Sequence, residues 1–160
     1  MVWSMSEFSI RAATMSDVPV IVALLKELAG YEKLQNGFAL DEAAAARDML
    51  GAACHTELVF VEGAAVGIAA WFWTYKSFGA ARGVYLEDLY VRPDFRGRGL
   101  GRALLAHLAT KAAAVDGFME WQVLDWNAPS IAFYKSLGAA PRDNWINYRL
   151  IGEPLRKLAS

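Results

Sequence analysis

Two groups of residues in this chain are of the types and spacings that do chemistry. The first is Arg92-Pro-Asp-Phe-Arg-Gly-Arg-Gly-Leu-Gly-Arg102, which holds four arginines and three glycines. Glycines let a backbone turn tightly and approach a ligand with no Cβ in the way. Where such a turn opens a helix, the first-turn N–H groups and the partial positive charge together suit a phosphate. Arginines at 96, 98 and 102 would add charge-assisted contacts. The dinucleotide pattern G-x-G-x-x-G fails, because counting from Gly97 the sixth position is Arg102, and no Gly-Lys-Ser/Thr follows to complete a P-loop. The pattern that fits is R-x-x-G-x-G, Arg96 to Gly101. The competing reading is a solvated basic turn.

The second group is the carboxylate pair Glu87-Asp88, set inside the β-rich run Val84-Tyr-Leu-Glu-Asp-Leu-Tyr-Val91. Regular strand alternation puts the two on opposite faces, so only one can point at a given cleft. The competing reading is a pair of exposed strand residues. His55 and His107 are isolated, without Cys or His at metal-ligand spacing, and read as surface histidines; no metal is expected. Cys54 falls in a loop far from both groups and reads as incidental, and Trp71 and Trp73 read as packing residues.

These residues need elements to position them. A strand is expected at Phe8–Arg11, then a capping box Thr14-Met-Ser-Asp17 and an amphipathic helix carrying Val18, Ile21, Val22, Leu25 and Ala29, with Gly30 as its stop. Asp41 and Glu42 open a second helix ending near Gly51. Leu58–Val61 and Val66–Trp73 flank a hairpin turn at 62–65, and a loop at 79–83 precedes Val84–Val91. A helix from about Gly99 to Val115, a strand at Glu120–Leu124, a helix at Pro129–Leu137, a last strand at Trp145–Leu150 and a terminal helical turn at Glu153–Ala159 complete the order. That order predicts a mixed sheet with helices on its faces.

The 160 residues are the size of one domain, and a single domain over residues 1–160 is expected. With 56% hydrophobic residues the chain can bury a core, which excludes disorder. The longest apolar charge-free run, Gly63 to Tyr75, is 13 residues, short of the roughly 18 a membrane helix needs. The start MVWSMSEFSI lacks the basic and apolar regions of a secretory leader. Sixteen Lys+Arg against seventeen Asp+Glu argue against a nucleic-acid partner, and a single cysteine argues for a cytoplasmic protein.

Five ordered segments carry a family resemblance: Lys26-Glu-Leu-Ala-Gly-Tyr-Glu32, Tyr85–Val91, Arg96–Gly101, Leu124-Asp-Trp-Asn-Ala-Pro-Ser130 and Phe133-Tyr-Lys-Ser-Leu-Gly-Ala139. With them the chain resembles the GNAT superfamily of acyl-CoA-dependent N-acetyltransferases over essentially its whole length. Within it, the chain is most similar to the diamine (spermidine/spermine) and thialysine acetyltransferase group. The tail Gly152–Ala159 leans towards the thialysine type.

The resemblance implies an α/β fold: a mixed, mostly antiparallel sheet with helices on both faces and a splayed central strand pair. It implies acetyl-CoA as cosubstrate, with its pyrophosphate on the backbone of Gly97, Arg98, Gly99, Leu100, Gly101 and Arg102 beside Arg96. The edge Leu89, Tyr90, Val91 would hold the pantetheine arm as an added strand, exposed by a bulge near Leu89, with the Leu89 N–H as oxyanion donor. Asn127 and Ser130 would sit around the same arm. Glu87 would hold the amine and relay its proton, and Tyr134 would protonate the leaving sulfur; by periodicity alone Tyr134 is an ordinary helix aromatic. Tyr31, Glu32, Glu87, Glu120, Trp121 and Gln122 would line the amine site. A homodimer is also implied.

One departure from the group's pattern is Lys76, which follows Trp73-Thr-Tyr75 where polyamine enzymes carry an acid. A lysine there repels a long polyamine and favours a shorter or amino-acid-like amine. The expected activity is acetyl transfer from acetyl-CoA to a primary amine of a small molecule, by direct attack in a ternary complex. The alternatives are acetylation of a protein N-terminus or lysine, and a non-catalytic acyl-CoA-binding module.

Overall fold

The computed structural model describes residues 8–160; the leader reading rests on residues that lie largely outside that span. The chain divides into two compact units, Met1–Gln122 and Val123–Ser160.

The first unit is a five-stranded sheet in the order β1-β2-β3-β4-β5: β1 Phe8–Ala12, β2 His55–Val61, β3 Ala64–Lys76, β4 Ala81–Val91 and β5 Phe118–Trp121. The first four strands are antiparallel neighbours and β5 joins β4 in parallel. The β2–β3 connection is the two-residue turn Glu62-Gly63, both at positive φ (50° and 80°), the twist that suits a tight hairpin. Helix α1 (Val18–Tyr31) and helix α2 (Glu42–Asp48) cover one face; helix α3 (Leu100–Ala113) covers the other.

On the first face Val18, Ile21, Leu24, Leu25 and Leu28 of α1 pack with Leu58, Ile68, Ala70 and Tyr90 of the sheet. On the second, the Glu57 carboxylate of β2 meets His107 Nε2 at 3.3 Å and Lys111 Nζ at 3.4 Å from α3, and Lys111 lies over the Trp71 ring. His107 and His55 are therefore not free surface residues, since His55 stacks on Trp71 at 4.5 Å.

Asp17 fixes where α1 begins. Its carboxylate accepts the Thr14 N–H at 2.7 Å and a forked pair from Arg11 at 2.7 and 3.0 Å, which holds it well below the usual carboxylate range. Gly30 does not stop α1. The helix runs through Tyr31, and the left-handed residue that ends it is Lys33 (φ 61°). Leu34 N–H reaches Ala29 O at 2.8 Å and Lys33 N–H reaches Gly30 O at 3.2 Å, the paired bonds that close a helix C-terminus.

Other boundaries also move. Strand β4 starts at Ala81, inside the expected 79–83 loop, and β5 is Phe118–Trp121 rather than 120–124.

The second unit holds helix α4 (Ala128–Ser136) and helix α5 (Gly152–Leu158). The expected strand at 145–150 is absent. An alternating apolar pattern makes a strand only when a neighbour supplies hydrogen bonds, and Trp145, Ile146 and Tyr148 stand exposed.

Candidate active site

The decisive local feature is a bulge in β4. Ala70 pairs with Asp88 and Trp71 with Leu86, which leaves Glu87 as an extra residue with no partner on β3. The bulge thus falls at Glu87, two residues before the expected position. It also breaks the simple alternation of the carboxylate pair, because an inserted residue re-aims the side chains beside it. Asp88, in register with Ala70, lies on the face packed by α1 and α2 and is half-buried; Glu87 is exposed.

The bulge coincides with the end of β5. The β4–β5 pairing runs from Gly83–Phe118 to Leu86–Trp121 and stops. Beyond it, β4 has no strand on that side among the described residues. The Arg92 N–H goes to Val66 O on β3 at 2.9 Å, so alternation turns the peptide groups of Val91 and Leu89 towards the open edge. Tyr90 faces the other way: its carbonyl abuts Gly67 on β3 and its ring is buried in the core. Of the expected Leu89–Val91 edge, only Leu89 and Val91 present backbone groups outward.

The glycine corner follows at once. Gly97 (φ 71°) and Gly99 (φ 81°) are both left-handed, and Gly99 caps α3. A Cβ built on Gly97 would meet nothing within 4 Å. The space beside Gly97 is open, and the first turn of α3, Gly99 to Arg102, supplies N–H groups that no helical carbonyl can reach. Residues and space fit a diphosphate.

The arginines divide by task. Arg92 pairs with Glu27 of α1 at 2.9 Å. Arg96 turns back on the sheet: its Nε donates to Val91 O at 2.7 Å and its guanidinium lies 4.9 Å from the Tyr31 ring and 5.4 Å from the Tyr90 ring. Arg98 lies over Phe95, and Arg102 is exposed. Arg96 is therefore a brace between the corner, the β4 edge and the end of α1.

On the α1 side, burial pushes the Glu32 carboxyl up. Asp88 is raised to about 7, first by burial, then by Glu87 and Glu32. Cys54 is not remote, as its thiol is pushed up to about 11 by burial and by the charges of Asp88, Glu87 and Asp48. The Tyr85 hydroxyl is raised by burial and then by Glu87 and Glu120. Glu120, in register with Tyr85, is ion-paired with Lys76 at 2.9 Å. Trp121 pairs with Leu86, whose register partner is Trp71 under Lys111, so it lies on the α3 face, away from Glu120; Gln122 lies past the strand end. Trp121 therefore lies on the opposite face of the sheet from Glu120 and Asp88.

In the second unit, the buried Asn127 caps α4, its side-chain oxygen accepting the Ser130 N–H at 3.3 Å. Tyr134 sits mid-helix beside Phe133, the rings 5.5 Å apart.

The model of the acetyltransferase (GNAT) family matches residues 21–139. The chain belongs to the GNAT acetyltransferase family. A thialysine N-epsilon-acetyltransferase of Mus musculus is 32% identical over 97% of this chain and 99% of that protein. An L-ornithine N5-acetyltransferase of Arabidopsis thaliana is 38% identical over 58% of this chain and 41% of its own length. Among solved structures, an integron cassette protein from the mobile metagenome of V. cholerae superposes with a TM-score of 0.78 at 24% identity, covering 96% of this chain and 98% of that one, and shows the same fold.

Asp88, Cys54 and the Lys76–Glu120 pair are what sequence reasoning missed or misplaced. The two adjacent carboxylates were visible, but the bulge that decides which one is buried has no signature in the residue types.

Proposed function

We propose that this acetyltransferase moves an acetyl group from acetyl-CoA to the terminal primary amine of a small, amino-acid-like molecule. The observation that carries the reading is the open β4 edge, with Leu89 and Val91 facing outward between the glycine corner and the acidic cluster on the α1 side. A pantetheine arm is an extended amide chain that can hydrogen-bond such an edge as an added strand. Its pyrophosphate would rest on the backbone from Gly97 to Arg102, and its thioester carbonyl would take the Leu89 N–H, where negative charge develops as the amine attacks.

An alkylammonium, with a pKa near 10.4, is attracted by carboxylates and must lose a proton before it can attack. Glu87, exposed on the bulge, holds the ammonium, with Tyr31 and Glu32 at the end of α1. Tyr134 protonates the departing sulfur. Direct attack is supported by Cys54, the chain's one cysteine: its thiol, pushed up to about 11 by burial and the nearby carboxylates, stays protonated and makes a poor acyl carrier.

The Lys76–Glu120 pair supports the substrate class. Because Lys76 neutralises Glu120, that carboxylate gives no second anchor for a polycation. Relatives named for thialysine and ornithine acetylation lie on the same side. A homodimer, which the family resemblance implies, is part of the proposal.

The test is thiol release from acetyl-CoA across a panel of thialysine, ornithine, lysine, putrescine and spermidine. Turnover is expected to favour the amino acids at least tenfold over spermidine. A spermidine preference overturns the substrate class, and binding of acetyl-CoA without turnover on any amine overturns the enzyme reading.

A further inference from the structure

Of the two adjacent carboxylates, the one that the family resemblance nominates for proton transfer is the one the fold leaves exposed. The β4 bulge pushes Glu87 out of register, and Asp88 takes the inward position opposite Ala70, on the face closed by α1. The next residue, Leu89, turns its N–H to the open edge. The inward carboxylate therefore neighbours, along one strand, the donor that would polarise the thioester.

We propose that Asp88, not Glu87, takes the proton from the incoming ammonium ion, with Glu87 serving to hold that ion at the mouth of the site. The proposal rests on the amine-acetylation reading above. The step balances without a further reactant. The ammonium gives its proton to the Asp88 carboxylate, and the freed nitrogen lone pair forms the C–N bond. The thioester C–S bond breaks, the sulfur leaves with the proton of Tyr134, and the second proton that the nitrogen loses as the amide forms restores the tyrosine through solvent. Asp88 then returns its proton to solvent.

The surroundings of Asp88 suit this role. Glu87 acts on it from its own strand and Glu32 from the end of α1, and the Cys54 thiol from the loop before β2 feels its charge. Burial and both carboxylates push the same way, from 3.8 to about 7. A rise of that size makes proton transfer from an alkylammonium more favourable by about a thousandfold, and it brings the base close to working pH.

The experiment combines two readouts on the full chain. In carbon-13 NMR of aspartate-labelled protein, the carboxyl signal lost in Asp88→Asn is expected to titrate near pH 7 in the wild type and at lower pH in Glu87→Gln. In steady-state kinetics with acetyl-CoA and thialysine, kcat/KM is expected to fall below about pH 7. Asp88→Asn should abolish that limb and lower kcat at least 100-fold, with the acetyl-CoA Kd within twofold. Glu87→Gln should raise the amine KM and shift the limb to lower pH.

An Asp88 signal titrating in the ordinary carboxylate range overturns the assignment; where Asp88→Asn does not fold, Asp88→Glu identifies the signal in its place. So does a limb that survives Asp88→Asn and vanishes in Glu87→Gln. Loss of all turnover across the amine panel in the wild type overturns the amine reading itself, a result distinct from either.

Discussion

Burying the Asp88 carboxyl has a thermodynamic consequence separate from catalysis. Its folded-state pKa, about 7, lies above the unfolded value near 3.8, so between these pH values the folded chain holds a proton that the unfolded chain has lost. Stability therefore declines as pH rises from about 4 to 7, and the penalty is complete above 7. Asparagine has no proton to lose. Asp88→Asn is expected to be more stable than the wild type at pH 8 by about 1–2 kcal/mol, discounted for partial exposure, and no more stable at pH 4. Thermal melts at the two pH values check this, with a gain of several degrees expected only at the higher one. A residue that destabilises the fold where it works is what a functional site shows and a packing site does not. Cys54 makes the complementary point. Its chemical inertness was readable from the absence of a Cys-His signature, but its place beside the carboxylates was not, because residues 54 and 88 meet only through the folding of β2 and β4 against the same helices.

At the scale of elements, the splay of β4 and β5 depends on how tightly they meet before they part. Gly83 lies under the Phe118 ring, and a Cβ there would overlap that ring. Gly83→Ala must push the half-buried Phe118 ring aside where β5 meets β4, an overpacking that costs about 1–3 kcal/mol. The expected result is a Tm lower by about 3–10 °C, read by circular dichroism; an unchanged Tm would show that the strand pair is not held there. Elements with strong local signals were legible: α1 from its apolar stripe and its Thr14-to-Asp17 cap, the hairpin from its turn residues, and α3 from the glycine corner. The features that needed partners were not. The end of α1 at Lys33, the bulge at Glu87 and the missing strand at 145–150 are set by hydrogen bonds between segments, which residue types and periodicity do not encode.

At the scale of the molecule, the order of elements was readable and the grouping of side chains only in part. The corner proposed to hold the cofactor, glycine-rich and beside a strand edge, is a local feature, and its strand-to-helix turn was legible as such. The proposed acceptor side draws on α1, β4 and the loop before β2, so Glu32, Asp88 and Cys54 come together only in the fold, and Glu120 arrives already paired with Lys76.

The claim on which the donor and acceptor assignments both depend is that a diphosphate rests on bare backbone at Gly97 and Gly99. Calorimetric titration of acetyl-CoA into the wild type, Gly97→Val and Gly99→Val tests it most directly, with a melt of each chain to confirm folding. The account predicts saturable one-site binding by the wild type and a Kd at least tenfold weaker in both folded variants. Binding by both variants within twofold of the wild type, or no binding by the wild type, would contradict it.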